Sequence, residues 1–92
     1  MNIFESIRKY AGKWELTNSR SFTQEEMDAV SSASVVSSEY GNSACFMMVG
    51  GGMSFIPMSS NSTVGVGESI DLSKAKLLTL ERDGETINRV EI

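Results

Sequence analysis

The sequence predicts a mainly β protein: a small closed or partly open β-barrel of the OB-like or SH3-like kind, with roughly five to seven short strands and one or two short helices. Short apolar runs alternate with polar residues, glycine-centred turns separate them, and an Asp-Gly dipeptide joins the last two runs. Because exposed strand edges invite aggregation, a chain of 92 residues with this many strands is expected to roll up on itself.

The N-terminal part is predicted to combine a helix with the first strand. Apolar residues at helical spacing in "NIFESIRKYAG" predict an amphipathic helix over residues 1–12, which Gly12 would end. "KWELT" then alternates as a strand, with Trp14 and Leu16 on one face. We expect one domain over residues 1–92, with the barrel over residues 13–92.

A second, short helix is predicted after Phe22. Thr23 and Glu26 have the spacing of a capping box, and Glu25 falls in the first turn. Because "SSASVVSSEY" is poor in helix formers, the helix should last about one to two turns before a strand over residues 34–39.

The middle of the chain, "CFMMVGGGMSFIPM", is apolar on both sides of three glycines and predicts a hairpin. Pro57 is expected at a strand end or a sheet edge, because it lacks a backbone N–H. Alternation makes both faces of the strand over residues 44–49 apolar. Either the N-terminal helix covers the second face, or that face is a contact surface; the sequence leaves both interpretations open.

The C-terminal third is predicted to hold an alternating, strand-like segment followed by a hairpin. "TVGVGESIDL" alternates on either side of a turn at Gly67-Glu68, and Asp71 or Ser73 could cap a single helical turn at "LSKAK". "KLLTLERDGETINRVEI" predicts two strands joined by a tight turn at Asp83-Gly84.

The sequence lacks the residues that several kinds of catalytic and metal site require. The sequence has no histidine and one cysteine, Cys45, which removes the usual general base, the usual catalytic triads and most zinc sites. The glycine clusters lack the Lys-Ser/Thr and the strand–helix unit of phosphate-binding loops. We therefore expect no enzyme, no cofactor and no metal. A free thiol, expected to be buried, and the lack of a signal peptide or a long apolar run predict a cytoplasmic protein with no membrane contact.

The charges are unevenly distributed about a net charge of −4. From Ser21 to Ser73 the chain has no Lys or Arg. The acidic residues of that stretch are Glu25, Glu26, Asp28, Glu39, Glu68 and Asp71. The middle of the chain is therefore acidic, and its basic residues lie toward both ends.

The first hypothesis for function is binding of single-stranded nucleic acid. Small β-barrels bind single strands by stacking bases on aromatic side chains and contacting phosphates with basic ones. The predicted contacts are Trp14, Arg20, Tyr40, Phe55, Lys74, Lys76 and Arg82, with Lys13, Phe46 and Arg89 as further candidates. The acidic middle of the chain argues against this hypothesis, because phosphate-binding domains usually carry a basic excess.

The second hypothesis is a protein-binding module. Met-rich apolar surfaces adapt their shape to partners. The predicted contacts are Met47, Met48, Met53, Phe55 and Met58. The acidic middle could occupy a basic groove on a partner, and the doubly apolar hairpin also predicts a homodimer.

At "VVSSEYGNSACFMM", "SFIPMSSNSTVGVGESIDLSKAKLLTL" and "RVEI" the chain resembles small uncharacterised proteins of phages and mobile elements of gut Bacteroidales. The resemblance runs from about Trp14 to the C-terminus. The strand order and the "VGVGESIDL" turn are also similar to OB-like barrels. The resemblance to the Bacteroidales proteins implies a phage or mobile-element protein and identifies no catalytic residues. In that setting the chain would be a non-enzymatic replication or recombination accessory that binds single strands, or an inhibitor of a host protein.

Overall fold

The computed structural model describes residues 13–39 and 41–92, which contain six β-strands, one short α-helix and one 3-10 turn. In chain order the elements are β1 (Glu15–Ser21), α1 (Gln24–Asp28), β2 (Val30–Ser38), β3 (Gly41–Met48), β4 (Met53–Pro57), the 3-10 turn (Leu72–Lys74), β5 (Lys76–Arg82) and β6 (Glu85–Glu91). The prediction of a mainly β protein with short helices is confirmed. The predicted helix over residues 1–12 lies outside the described residues.

The strands form two antiparallel, three-stranded sheets. One sheet has the order β1-β5-β6 and joins the first strand to the C-terminal hairpin, and the other is the meander β2-β3-β4. The sheets meet at one corner, where Met58 forms a parallel bridge with Val90 and the Ser59 N–H donates to the Val90 carbonyl at 2.7 Å.

Of the two predicted forms, a closed or a partly open barrel, the closed one is wrong. Closure would require the outer edge of β2 to pair with β1, but that edge bonds to a nearby loop. The Val35 N–H donates to the Glu68 carbonyl at 3.0 Å, and the Gly67 N–H donates to the Val35 carbonyl at 2.8 Å. The Ile70 N–H donates to the Ala33 carbonyl at 2.8 Å. With these backbone groups of β2 already satisfied, β2 does not pair with β1.

The segment around Gly67 also departs from the sequence prediction. It was expected to alternate as a strand on either side of a turn, but it contributes only an isolated bridge between Ser69 and Ser34. Ile70 and Leu72 are nevertheless buried, because the segment folds inward beside β2. Asp71 caps the 3-10 turn, as one of the two predicted caps, by accepting a hydrogen bond from the Ser73 N–H at 3.0 Å.

The core lies between the inner faces of the two sheets. Val35 and Val90, one from each sheet, are its most buried large side chains at 1% and 0% exposure. The other members of the cluster are Ala33, Ala44, Phe46, Met58, Ile70, Leu72 and Ala75. Cys45 is buried outside this cluster, which confirms the expectation of a buried thiol.

Two local predictions from the sequence are confirmed. Thr23 and Glu26 form both hydrogen bonds of the capping box at the start of α1. The turn between β5 and β6 places Asp83 and Gly84 at φ 49° and 83°, the left-handed region that Asp-Gly turns of hairpins favour.

Candidate protein-binding surface

The β2-β3-β4 sheet carries no charged side chain on any of its strands. β2 is rich in serine and valine, whereas β3 and β4 supply the methionines and phenylalanines. Depletion of charge is the compositional signal of the centre of a protein interface. This sheet is therefore the first place to look for a contact surface.

The hairpin of β3 and β4 fixes which side chains share a face. Near the turn, the Met48 N–H donates to the Gly52 carbonyl at 3.1 Å. At the other end of the hairpin, the Met58 N–H donates to the Asn42 carbonyl at 2.9 Å. Between these ends, Met47 lies opposite Met53 and Cys45 lies opposite Phe55. The alternation makes both pairs non-hydrogen-bonded, the type in which side chains stand closer together.

Three of these side chains form an exposed apolar surface, which we call the β3–β4 patch: Met47, Met53 and Phe55. Their exposed fractions are 42%, 59% and 58%. Val49, 66% exposed, extends the apolar surface into the turn of the hairpin. Val49 was not among the predicted contacts, although the alternation places it on the same face as Cys45 and Met47.

Two of the predicted protein contacts lie on the other face. Met58 is 7% exposed and belongs to the core, and Met48 is half-buried against it. Both have the same parity as Phe46 in the ladder, so their side chains turn inward. The accessible part of the predicted protein surface is thus the β3–β4 patch.

The residues predicted to contact nucleic acid are distributed over several places. Trp14 lies under Arg82, whose guanidinium carbon is 4.2 Å from the ring centroid, at one end of the β1-β5-β6 sheet. Lys76 begins β5 and Arg82 ends it, which separates them by roughly 20 Å along an extended strand. Phe55 lies on the other sheet, and Tyr40 lies outside the described residues.

Acidic neighbours accompany most of these basic residues. Lys76 is paired with Glu91 in the β5–β6 register, and Arg82 is paired with Glu85. Lys74 lies in the 3-10 turn that Asp71 caps. Lys74, Lys76 and Arg82 therefore each have an acidic residue as a neighbour.

Arg20 is held by Glu26 at the start of α1. Its Nη1 and Nη2 donate to Oε1 and Oε2 of Glu26 at 2.7 and 2.9 Å, a bidentate pair. The hydrogen bond from Arg20 and that from the Thr23 N–H lower the pKa of Glu26 to about 2, and the Glu26 carboxylate raises the pKa of Arg20. This arginine thus fixes the helix start to β1.

A cleft of about 570 Å³ lies on the outer face of the β1-β5-β6 sheet. Leu16, Leu78 and Leu80 give it an apolar floor, with Trp14 and Arg89 also lining it. The register explains this grouping, since Leu16 pairs with Leu80 on one face of the sheet. The sequence showed the alternation of these leucines but not the cleft.

Within residues 13–39 and 41–92, no group of three or more acidic or cysteine side chains is placed to hold a metal ion. The thiol of Cys45 is buried on β3. No helix in the same part of the chain is long and apolar enough to cross a membrane.

Comparison with known proteins finds no matching family model, no matching curated protein and no matching solved structure. Function is therefore inferred from the residues and geometry of this chain.

Proposed function

We propose that the protein is a protein-binding module and that the β3–β4 patch is its contact surface. One observation carries this proposal: Met47, Met53 and Phe55 lie side by side, about half exposed, on a sheet without charged residues. Single exposed apolar residues are common on proteins, but grouped ones mark contact sites. Methionine adds a flexible side chain that adapts to the surface it meets.

The patch alone is too small for tight binding. Fully burying one Met or Phe side chain contributes about 1.5–3 kcal/mol, so covering three half-exposed ones contributes on the order of 3 kcal/mol. Association itself costs about 4–15 kcal/mol. The contact must therefore include more of the molecule than these three side chains.

Charge supplies a second element of recognition. The stretch that builds the β2-β3-β4 sheet and its connections has acidic residues and no Lys or Arg from Ser21 to Ser73. A neutral apolar centre within an acidic surrounding suits a partner whose apolar contact is bordered by Lys or Arg. Complementary charge of this kind mainly raises the association rate and selects the partner.

Binding of single-stranded nucleic acid is the weaker alternative. Its best support is Trp14 beside Arg82 on the sheet that also carries Lys76. Glu91 and Glu85 lie opposite these two basic residues and reduce the local positive charge. Binding of this kind would weaken steeply with salt, because phosphate contacts release counterions.

The resemblance to phage and mobile-element proteins suggests a setting for the proposed module. In such a setting a non-enzymatic protein of this size would act by occupying a surface of a host protein. The phage origin, the host partner and the cytoplasmic location are parts of this proposal.

Parallel selection of displayed random peptides, about 12 residues long, tests the proposed surface. The wild-type protein, Phe55→Asp and Val66→Asp serve as baits. Val66 is a matched control: it is 57% exposed, like Phe55, and its neighbour Gly67 bonds to the edge of β2 that faces away from β3. We expect the wild type and Val66→Asp to enrich the same family of peptides. Phe55→Asp should not enrich this family. Equal enrichment on Phe55→Asp would exclude the patch.

A further inference from the structure

We infer that the partner supplies an extended segment that adds to the outer edge of β4 as a further antiparallel or parallel strand. This inference rests on the proposed function and specifies how the β3–β4 patch is used. Strand addition would contribute main-chain hydrogen bonds, and these would add to the binding energy of the three side chains.

The ladder shows which backbone groups of β4 face outward. The Gly52 carbonyl and the Met58 N–H both bond to β3, so Gly52, Ser54, Ile56 and Met58 direct their backbone groups toward β3. In an antiparallel pair the intervening residues point the opposite way. Met53 and Phe55 therefore direct both N–H and C=O outward, whereas Pro57 offers only a carbonyl.

The open part of this edge is short and defined. Toward Pro57 the edge approaches β6 at the Met58–Val90 bridge. From Met53 to Phe55, no other strand of the described chain pairs with it, since β4 is the last strand of its sheet. Two to three residues of a partner would fit there by backbone pairing.

The edges of β1 and β2 are protected in ways that β4 is not. The loop around Gly67 and Glu68 bonds to β2. β1 has a register irregularity between Leu16 and Asn18 and carries charged side chains. Native proteins use such cover, bulges and charges to prevent pairing with other chains. Between Met53 and Phe55, β4 has no proline and no charge, and no strand of residues 13–39 and 41–92 covers it.

The same two residues also determine the side chains of an incoming strand. Met53 and Phe55 present both their outward backbone groups and their exposed side chains to the partner. A strand added here would place every second side chain beside them on the exposed face. The partner segment is therefore expected to alternate apolar residues with small or polar ones.

Charge favours a foreign partner over a second copy. Asp28 lies next to Ala29, whose carbonyl accepts a bond from the Val49 N–H at 2.9 Å, and so stands near the hairpin turn. Glu39 lies at the opposite end of the sheet, in the turn before β3. A second copy would bring like charges together at both ends. A segment with Lys or Arg flanking its apolar residues would complement them.

The matched variants Met53→Pro and Met53→Ala test strand addition with the peptides enriched on the wild-type protein. Both remove the methionine side chain, but only proline removes the outward N–H, and neither removes a bond to β3. We expect Met53→Pro to bind at least about tenfold more weakly than Met53→Ala. Methylation of alternate peptide nitrogens, in the register that faces β4, should weaken binding to the wild type similarly.

Equal affinities for Met53→Pro and Met53→Ala, with no effect of peptide methylation, would overturn strand addition. Loss of binding on Phe55→Asp would still support the patch, so the two proposals can fail separately. If Met53→Pro does not fold, the methylated peptides on the wild-type protein decide alone. Sedimentation equilibrium measures whether the protein itself dimerises. A wild-type dimer that becomes monomeric in Met53→Pro would show that the added strand comes from a second copy, and would exclude the foreign partner.

Discussion

Cys45 and Phe55 lie opposite each other on the same face of β3 and β4, yet Cys45 is 7% exposed and Phe55 is 58% exposed. The difference follows from position in the sheet. β3 is the central strand and Cys45 is small, whereas β4 is the last strand and Phe55 is large. The apolar side chain thus projects at the edge of the sheet, where a partner can reach it.

Replacing Phe55 should affect binding much more than stability. Because Phe55 is exposed, Phe55→Asp should lower the free energy of unfolding by no more than about 1 kcal/mol, mainly through its lower β-propensity. Phe46→Ala, on the inner face at 4% exposure, should cost about 3–5 kcal/mol. Urea unfolding of both variants measures the difference. A large loss of stability in Phe55→Asp would place Phe55 in a structural role and remove it as a surface residue.

The turn between β5 and β6 depends on a left-handed glycine. Gly84 has φ 83°, so Gly84→Ala should lower the free energy of unfolding by about 1–2 kcal/mol. Gly50→Ala is the control, because Gly50 does not have a positive φ and open space surrounds its position. It should leave stability unchanged or raise it by up to about 1 kcal/mol. Similar losses in both variants would contradict the turn assignment.

The ion pair at the start of α1 should make stability fall in acid. The pKa of Glu26 is about 2 in the folded protein and near 4.5 without its partners. The unfolded chain therefore binds more protons in between, and the free energy of unfolding should fall as pH drops from about 4.5 to about 2. The midpoint of unfolding in urea, determined at several pH values in this range, measures this loss of stability.

Variants of the two neighbouring glutamates isolate this effect. Glu26→Gln should flatten the pH dependence between those two values, since it removes the titrating carboxylate that Arg20 binds. Glu25→Gln, in the same first turn but outside the ion pair, should keep the slope. An unchanged slope in Glu26→Gln would assign the acid sensitivity to other carboxylates.

The contact between Trp14 and Arg82 should be visible in fluorescence. Trp14 is the single tryptophan, so the emission reports on its surroundings, which include Arg82. Arg82→Ala should shift the emission and lower the free energy of unfolding by about 0.5–1 kcal/mol. Lys76→Ala, at the other end of β5, should leave the spectrum unchanged. Identical spectra for wild type and Arg82→Ala would contradict the stacking.

The predictable parts of this fold are those fixed by nearby residues. The capping box at Thr23 and the Asp83-Gly84 turn depend on a few adjacent side chains and backbone angles, and both follow from the sequence. The alternation in β3 was also predictable, because successive strand residues point to opposite faces.

The rest depends on contacts between distant parts of the chain. Whether Met47 or Met48 faces the core is decided by what packs against β3, including Ile70 and Leu72 from a later segment. The Glu68 carbonyl bonds to the edge of β2 that a closed barrel would pair with β1, and no local sequence pattern predicts that bond. Met58 likewise appeared as part of an exposed hairpin until the bridge to Val90 placed it in the core.

The most direct test of the proposed function compares two labelled ligands by fluorescence anisotropy. One is a peptide enriched on the wild-type protein, and the other is a single-stranded oligonucleotide, each titrated at low and physiological salt into wild type and Phe55→Asp. We expect the peptide to bind the wild type but not Phe55→Asp, and the oligonucleotide to bind neither protein. Salt-sensitive oligonucleotide binding that quenches Trp14 and persists in Phe55→Asp would contradict the proposed function.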